Sequence, residues 1–453
     1  MINTLYLPEL REMLAEDDES ELREFCTALH PGRTAEFMEG LSPDDAWRVL
    51  QYANPVLKVE IFTFFKHEKQ VEILETQDRE QVAALVADLP PDDRVDILDD
   101  VDEVIVQDLL DRIPQDERLD ILRLREYPED TAGAVMTTDV ARLGESLTAK
   151  EALESIARQA EEVETIYYLY IVDDSEHLRG IVSARQLVAS MTRPGTPLTE
   201  LMETEIITAH VLDDQEEVAN KVARMDLLAI PVIDDEQRLV GIITHDDVID
   251  VVHEEAIEDA HQMAAVDPLD VSYMRTGVMT LSWKRGIWLT ILFFAALLTA
   301  FALQNYEGQL NTWAWLIPFI PLVISTGGNT GNQSATLVIT ALNRGDVAIG
   351  DWTRVAWREL IQGLLLGGFL AAIGYIIAIF MADSPAWYNA LVVPITLLLV
   401  VVTGTLTGSV LPIIFKRIGW DPALMSSPFV AGIIDILGIV IYMNVAILLL
   451  TKN

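Results

Sequence analysis

Cysteine is almost missing from this chain: Cys26 is the only one in 453 residues. That excludes an internal disulfide framework and offers nothing against a reducing compartment. After His261 there is neither histidine nor cysteine. Any metal handled by the C-terminal part must then be met by oxygen, and carboxylate, amide and carbonyl oxygen suit magnesium, calcium or manganese rather than zinc, copper or nickel. No nucleophile–base pair, phosphate loop or metal-hydrolase motif occurs, so no enzyme activity is expected. The first residues, MINTLYLPEL, have neither a basic n-region nor a continuous apolar core, and the long soluble part is expected to stay in the cytoplasm.

Positive charge is scarce as well, with 31 Lys and Arg against 71 Asp and Glu and a formal net charge of −40. The imbalance is confined to one half. Seven acids and eight bases lie from Thr276 onward, which leaves 64 acids against 23 bases before it, a charge of −41. A half that acidic repels nucleic acid and anionic headgroups and attracts cations. Divalent cations are the expected partners, and nucleic acid is not.

Residues 1–128 repeat at a spacing of 24: Leu41 to Leu50, Phe65 to Leu74, Leu89 to Leu98 and Ile113 to Leu122 align. In three of the four, Pro precedes acids and then an apolar pair, as suits a first helical turn. Each unit has room for two short helices, which predicts an all-α superhelix whose units bury their apolar faces by stacking.

Residues 129–200 and 201–252 form a second duplication. Each copy reads strand, amphipathic helix, two strands around an Asp-Asp turn (Asp173-Asp174, Asp234-Asp235) and a helix. The order, and the endings at Gly180 and Gly241, resemble a tandem of α/β CBS domains. Such pairs usually regulate an attached transporter or enzyme, and many bind adenine nucleotides such as ATP. Gln186 occupies the position that is commonly acidic in the first copy, an argument against nucleotide there, whereas the second copy keeps Asp246-Asp247. A connecting helix, 246–275, follows. Asp247, Asp250, Glu254 and Glu258 fall on one stripe with Glu255 and Asp259 alongside. A solvated face would look the same, but like charges at i, i+3 and i+4 destabilise an isolated helix and call for cations.

Residues 276–453 contain apolar segments at about 286–304, 313–342, 359–381, 387–415 and 427–450, each long enough to cross a bilayer. Lys284, Arg285, Arg344, Arg354, Arg358, Lys416 and Arg417 all fall on the side of the soluble half, while the opposite loops 305–312 and 382–386 lack Lys and Arg. The positive-inside rule gives a multi-pass protein of the cell membrane with a cytoplasmic N-terminus and the C-terminus outside. The second segment is polar for a span, running Ser325-TGGNTGNQSAT-Leu337. Close helix packing explains Gly327, Gly328 and Gly331, but not Asn329, Asn332 and Gln333 together; polar residues there point to a water-filled path. In the last span stands Asp435, with no Lys or Arg to neutralise it. An acid at that depth costs at least about 2.5–3.5 kcal/mol and usually faces a partner, a cavity or an ion.

The order of acidic helical repeats, CBS pair, acidic helix and five spans resembles the MgtE family of magnesium channels over essentially the whole chain. Its motifs stand at Pro321 to Asn343 and Asp421 to Gly438. The resemblance implies a homodimer in the lipid bilayer, with Mg²⁺ at Asp435 on the pore axis and carbonyls near Ala431, Asn329 and Asn332 accepting from the ion's water. It also implies regulatory Mg²⁺ shared by Glu60, Asp92 and Asp96 of the helical domain, Asp226 and Asp247 of the second CBS domain, and Asp250, Glu255, Glu258 and Asp259 of the helix. Two other readings stay open on the residues alone: an ion-coupled carrier for another divalent cation such as Mn²⁺ or Co²⁺, and a membrane-anchored CBS sensor.

Overall fold

The structure is a computed structural model and describes residues 5–160, 163–269, 273–274, 276–381, 387–424 and 427–451. It divides into two compact units, Met1–Val252 and His253–Asn453. The loop 382–386 and the end of the 246–275 segment at 270–272 and 275 lie outside the described residues.

The first unit opens with ten helices: α1 (Leu7–Glu16), α2 (Glu19–Ala28), α3 (Pro31–Met38), α4 (Pro43–Leu50), α5 (Pro55–Thr63), α6 (His67–Thr76), α7 (Arg79–Ala87), α8 (Pro91–Asp99), α9 (Glu103–Leu110) and α10 (Gln115–Leu124). Each repeat is a helix pair. The caps are written locally: Ser42 accepts from the Asp45 amide, Asn54 from Leu57, and Asp78 from Glu80 and Gln81, each satisfying amides that a helix start leaves over. The apolar residues of successive pairs, from Leu10 through Trp47 and Leu74 to Leu110, share one continuous core.

Two three-stranded sheets follow. The first holds β1 (Val140–Gly144), β2 (Thr165–Val172) and β3 (Leu178–Ser183) with α11 (Ala149–Gln159) and α12 (Ala184–Ser190). The second holds β4 (Ala209–His210), β5 (Ala229–Ile233) and β6 (Leu239–Thr244) with α13 (Gln215–Arg224) and α14 (His245–Met263). In each, the first pair is parallel across a helix and the second is an antiparallel hairpin. The copies exchange their leading segments: Thr137 bridges Ile242 of the second copy, and Glu203 bridges Ile181 of the first. Met136 and Met202 accordingly lie over Gly241 and Gly180, where no Cβ would fit.

The acidic helix is shorter than the 246–275 segment expected from sequence. It stops at Met263. Ala265 turns left-handed at φ 55°, and the amides of Val266 and Ala265 bond back to His261 and Gln262, a Schellman ending that Pro268 follows. Beyond it, Trp288 Nε1 donates to Asp267 Oδ1 at 2.7 Å.

The second unit contains α15 (Val278–Asn305), α16 (Glu307–Thr312), α17 (Ile320–Asn343), α18 (Trp352–Met381), α19 (Val392–Arg417) and α20 (Ser427–Leu450). Among the described residues four helical segments are long and apolar enough to cross a membrane: 278–305, 349–381, 389–417 and 428–450. The sequence suggested five. The remaining one, α17, is 24 residues long, but its polar stretch lowers its apolar character. It is carried inside the bundle instead, with ten buried residues against none for α15. The α17 and α19 backbones approach so closely that a Cβ on Gly408 would overlap the Gly331 carbonyl oxygen, and one on Gly404 would lie 2.8 Å from that of Gly327.

Gly408→Val is therefore expected to cost about 3 kcal/mol or more through overpacking against backbone, and to lower the thermal midpoint of the solubilised protein. Gly350→Ala, which meets nothing within 4 Å, serves as the neutral control.

Candidate ion sites

The membrane unit has a recess of about 460 Å³ against α17 and α20. Gly328, Asn329 and Asn332 face it from α17, and Ala431 and Asp435 from α20; Ile320 and Pro321 also line it. All four residues singled out for the pore thus meet in one place. The glycines make this approach possible: a Cβ on Gly328 would lie 3.5 Å from Ala431 Cβ and 3.6 Å from Asp435 Oδ1. Asn329 Nδ2 donates to Ser325 Oγ at 3.3 Å, whereas Asn332 Oδ1 is buried without a partner. Such an orphaned acceptor is costly unless a donor meets it. Among the described residues no Lys or Arg lines the recess. A carboxylate, amide oxygens and backbone are the donor set of a hard, hydrated cation.

A second group of carboxylates lies in the first unit, where the start of α8 meets the start of α14. Thr244 is the hinge of this arrangement: its amide and hydroxyl both donate to Asp247 Oδ2, at 3.0 and 2.5 Å, and its hydroxyl reaches Asp246 Oδ1 at 2.6 Å. Asp92 is raised well above the usual carboxylate range, first by burial and then by the charges of Asp247, Asp93 and Glu164. Burial with Asp247, Asp250 and Asp246 pushes Asp93 up to about 6. Glu164, on the strand side, is pushed to about 7 by burial and then by Asp247, Asp246 and Asp93. Asp247 is raised too, by burial, against the lowering effect of Thr244. Asp92 Oδ1 is buried without a partner.

Sequence reasoning named Asp92, Asp247 and Asp250 here but missed Asp93, Asp246 and Glu164. Asp93 and Asp246 were legible as neighbours of named acids; Glu164, far away in sequence, was not. Glu60 on α5, Asp96 on α8 and Asp226, in a left-handed turn after α13, are exposed. Glu255 and Glu258 lie on α14. Near its end Asp259 Oδ2 accepts from Asn343 Nδ2 of α17 at 2.7 Å, and burial raises its pKa against that bond, with Asp421 adding. Met263 packs on Ala335, Ile339, Ala423, Val430 and Ile434. Among the described residues no three His, Cys, Asp or Glu side chains converge closely enough to coordinate one bare ion.

In the CBS pair, Gln186 closes a capping box with Ser183 and donates to Glu203 Oε1 at 3.0 Å. Its side chain serves structure.

The recess and the domain order define a class. Residues 320–445 match the family described as divalent cation transporters, MgtE; residues 29–130 match the MgtE intracellular N domain, and 132–193 and 198–254 match CBS domains. A protein of Thermus thermophilus named magnesium transporter MgtE is 41% identical over 72% of each chain. Those so named from Bacillus subtilis and Enterococcus faecalis are 35% and 33% identical, each over 71% of this chain and 70% of its own length. The chain belongs to the MgtE family of magnesium transporters, and it is a multi-pass membrane protein. Its first unit also resembles the soluble part of a magnesium transporter (32% identity, TM-score 0.52, 55% of this chain and 97% of that one). The cytosolic domain of the Mg²⁺ channel MgtE, solved with ATP, is 34% identical with a TM-score of 0.51, over 53% of this chain and 98% of that one. These relatives are named as transporters and channels, not as enzymes.

The raised carboxyls set a pH dependence. A carboxyl whose pKa is higher folded than unfolded leaves stability intact below about pH 4 and costs it progressively as pH rises through the folded value. With Asp93 at about 6 and Glu164 at about 7, the first unit's thermal transition in chelator is expected to fall as pH rises from about 4 to about 7 and to level off above that. Asp93→Asn should remove part of that fall, on the order of 1–3 kcal/mol.

Proposed function

We propose that the chain is a homodimeric magnesium channel that conducts hydrated Mg²⁺ inward and is closed by cytosolic Mg²⁺. One observation carries this: the recess in which Asp435, Ala431, Asn329 and Asn332 converge with no basic side chain among them. Magnesium dehydrates reluctantly and usually keeps several waters, so one or two carboxylates plus acceptors for its water suffice. One Asp435 balances half of a divalent charge. A two-fold axis beside the recess supplies a second, which is the argument for a dimer. With α17 as a fifth crossing, the seven Lys and Arg residues between the spans fall on the side of the first unit, so the N-terminus is cytoplasmic and the C-terminus outside.

The gate follows from the acidic half. At low Mg²⁺, Asp92 and Asp93 repel Asp246, Asp247, Asp250 and Glu164, and the helical domain leaves the CBS pair. Divalent ions, held with their water between these groups, offset the repulsion; Glu60, Asp96, Asp226, Glu255 and Glu258 contribute to further shared ions at the edges. Their differential affinity for the compact state shifts the equilibrium toward closure. At the other end of α14, the Asn343–Asp259 bond and the seat of Met263 on Val430 and Ile434 supply the contacts through which α14 holds α17 and α20.

Asp435→Asn in proteoliposomes is expected to lower Mg²⁺ flux at least about tenfold with the fold retained. Wild-type flux in that variant removes the pore assignment, and flux that collapses with a sodium or proton gradient assigns an ion-coupled carrier instead. Asn343→Ala, which loosens α14, is expected to leave flux intact at low cytosolic Mg²⁺ and to raise the concentration needed for closure about fivefold, one hydrogen bond's worth.

A further inference from the structure

A second acid lies within the membrane bundle, and the pore reading does not use it. Glu359, on α18, is only 6% exposed. Its Oε2 accepts from Ser334 Oγ of α17 at 2.6 Å, and its backbone carbonyl accepts from Thr405 Oγ1 of α19 at 3.1 Å. No ion pair involves it among the described residues. One turn further along, Gly363 leaves room for Thr405, whose Oγ1 would sit 2.6 Å from a Cβ there. The residue therefore binds three helices at one point.

Ser334 lies two positions after Asn332, about 200° round the helix. Asn332 faces the recess, so Ser334 faces away from it, toward α18. Three other hydroxyls of α17 do not reach out in this way. Thr326, Thr330 and Thr340 each donate to the carbonyl four residues before, a bond that satisfies the hydroxyl and leaves the helix free to turn or bend. Ser334 alone among these donors holds α17 to a neighbour. The seam at Gly404 and Gly408 fixes how near α17 comes to α19, but backbone contact between glycines tolerates rotation. A hydrogen bond to a buried carboxyl does not.

Stability alone does not account for an acid here. A leucine of similar volume would be cheaper in the membrane, and buried ionisable groups are often no more stabilising than their apolar isosteres. We propose that Glu359 is a positioning residue for ion passage: through Ser334 it sets the rotation of α17 that keeps Asn329 and Asn332 turned to Asp435. This rests on the reading of Asp435 as the ion site. It adds a residue that touches no ion.

The test compares Glu359→Gln, Glu359→Leu and Ser334→Ala in full-length protein in proteoliposomes, reading Mg²⁺ flux, the preference for Mg²⁺ over Ca²⁺ and the thermal midpoint. Glu359→Leu and Ser334→Ala are each expected to lower flux about tenfold and to weaken the Mg²⁺ preference, with the midpoint unchanged or raised in the leucine variant. Glu359→Gln keeps an acceptor for Ser334 and is expected to stay within about twofold of wild type. The double variant Glu359→Leu/Ser334→Ala should lose no more than either single one, since both break the same bond. Wild-type flux and selectivity in Ser334→Ala overturn the proposal even where Glu359→Leu does not fold. A glutamine variant as impaired as the leucine one overturns it too. Asp435→Asn keeps the two readings apart: if it transports normally the pore assignment falls, whereas normal transport by Ser334→Ala, with Asp435→Asn inactive, removes Glu359 alone.

Discussion

Carboxylate without counter-charge is the constraint on which both halves of this molecule are built. In the first unit Asp92, Asp93, Glu164, Asp246, Asp247 and Asp250 crowd together, among the described residues with no lysine or arginine ion-paired to them, and burial and mutual repulsion hold several of their pKa values up. In the membrane unit Asp435 stands alone in its recess. A fold selected for stability alone would pair these groups, as it does elsewhere: Asp173 and Asp234 each meet an arginine and backbone amides, which hold them below the usual range. The contrast separates acids that build turns from acids that, on the proposed reading, are left to meet a cation.

The polar helix α17 is the counterpart of that constraint. A helix with Ser, Thr, Asn and Gln along its length gains little from lipid, so it is wrapped by α19 and α20 and reaches them through glycines. Small residues thus have two roles at once. They let a polar backbone approach its neighbours closely, and at Gly328 they bring the acceptors of α17 up to Asp435.

Much of this was legible in the sequence. The 24-residue period returns as helix pairs, since Pro, Ser and Asx at their starts specify most of the helices locally. The CBS order was equally plain from alternation and turn residues. What the sequence hid was non-local. Exchange of the leading segments at Thr137 and Glu203 depends on pairing between copies that are identical in pattern. Glu164 reaches the acidic cluster only because β2 begins beside β1, and the Glu359–Ser334 bond joins residues 25 apart on different helices. The end of α14 was missed for another reason: Ala265 is left-handed, a conformation that glycine or asparagine would have signalled and alanine does not.

The two acids of the membrane bundle illustrate how placement decides role. Asp435 lines a recess of about 460 Å³, in which the proposed reading places an ion together with its water. Glu359 lies on the far side of α17, packed to 6% exposure with its oxygen committed to a serine. Exchanging the two environments would defeat both: a carboxylate without a cavity cannot meet a hydrated ion, and a carboxyl in open water cannot hold a helix at a fixed rotation. A cation that keeps its shell is recognised by the size and direction of the acceptors around it, rather than by stripping its water. On the proposed reading, selectivity of that kind depends on the angle at which Asn329 and Asn332 present their amides. A helix whose rotation is pinned from behind is what such recognition requires.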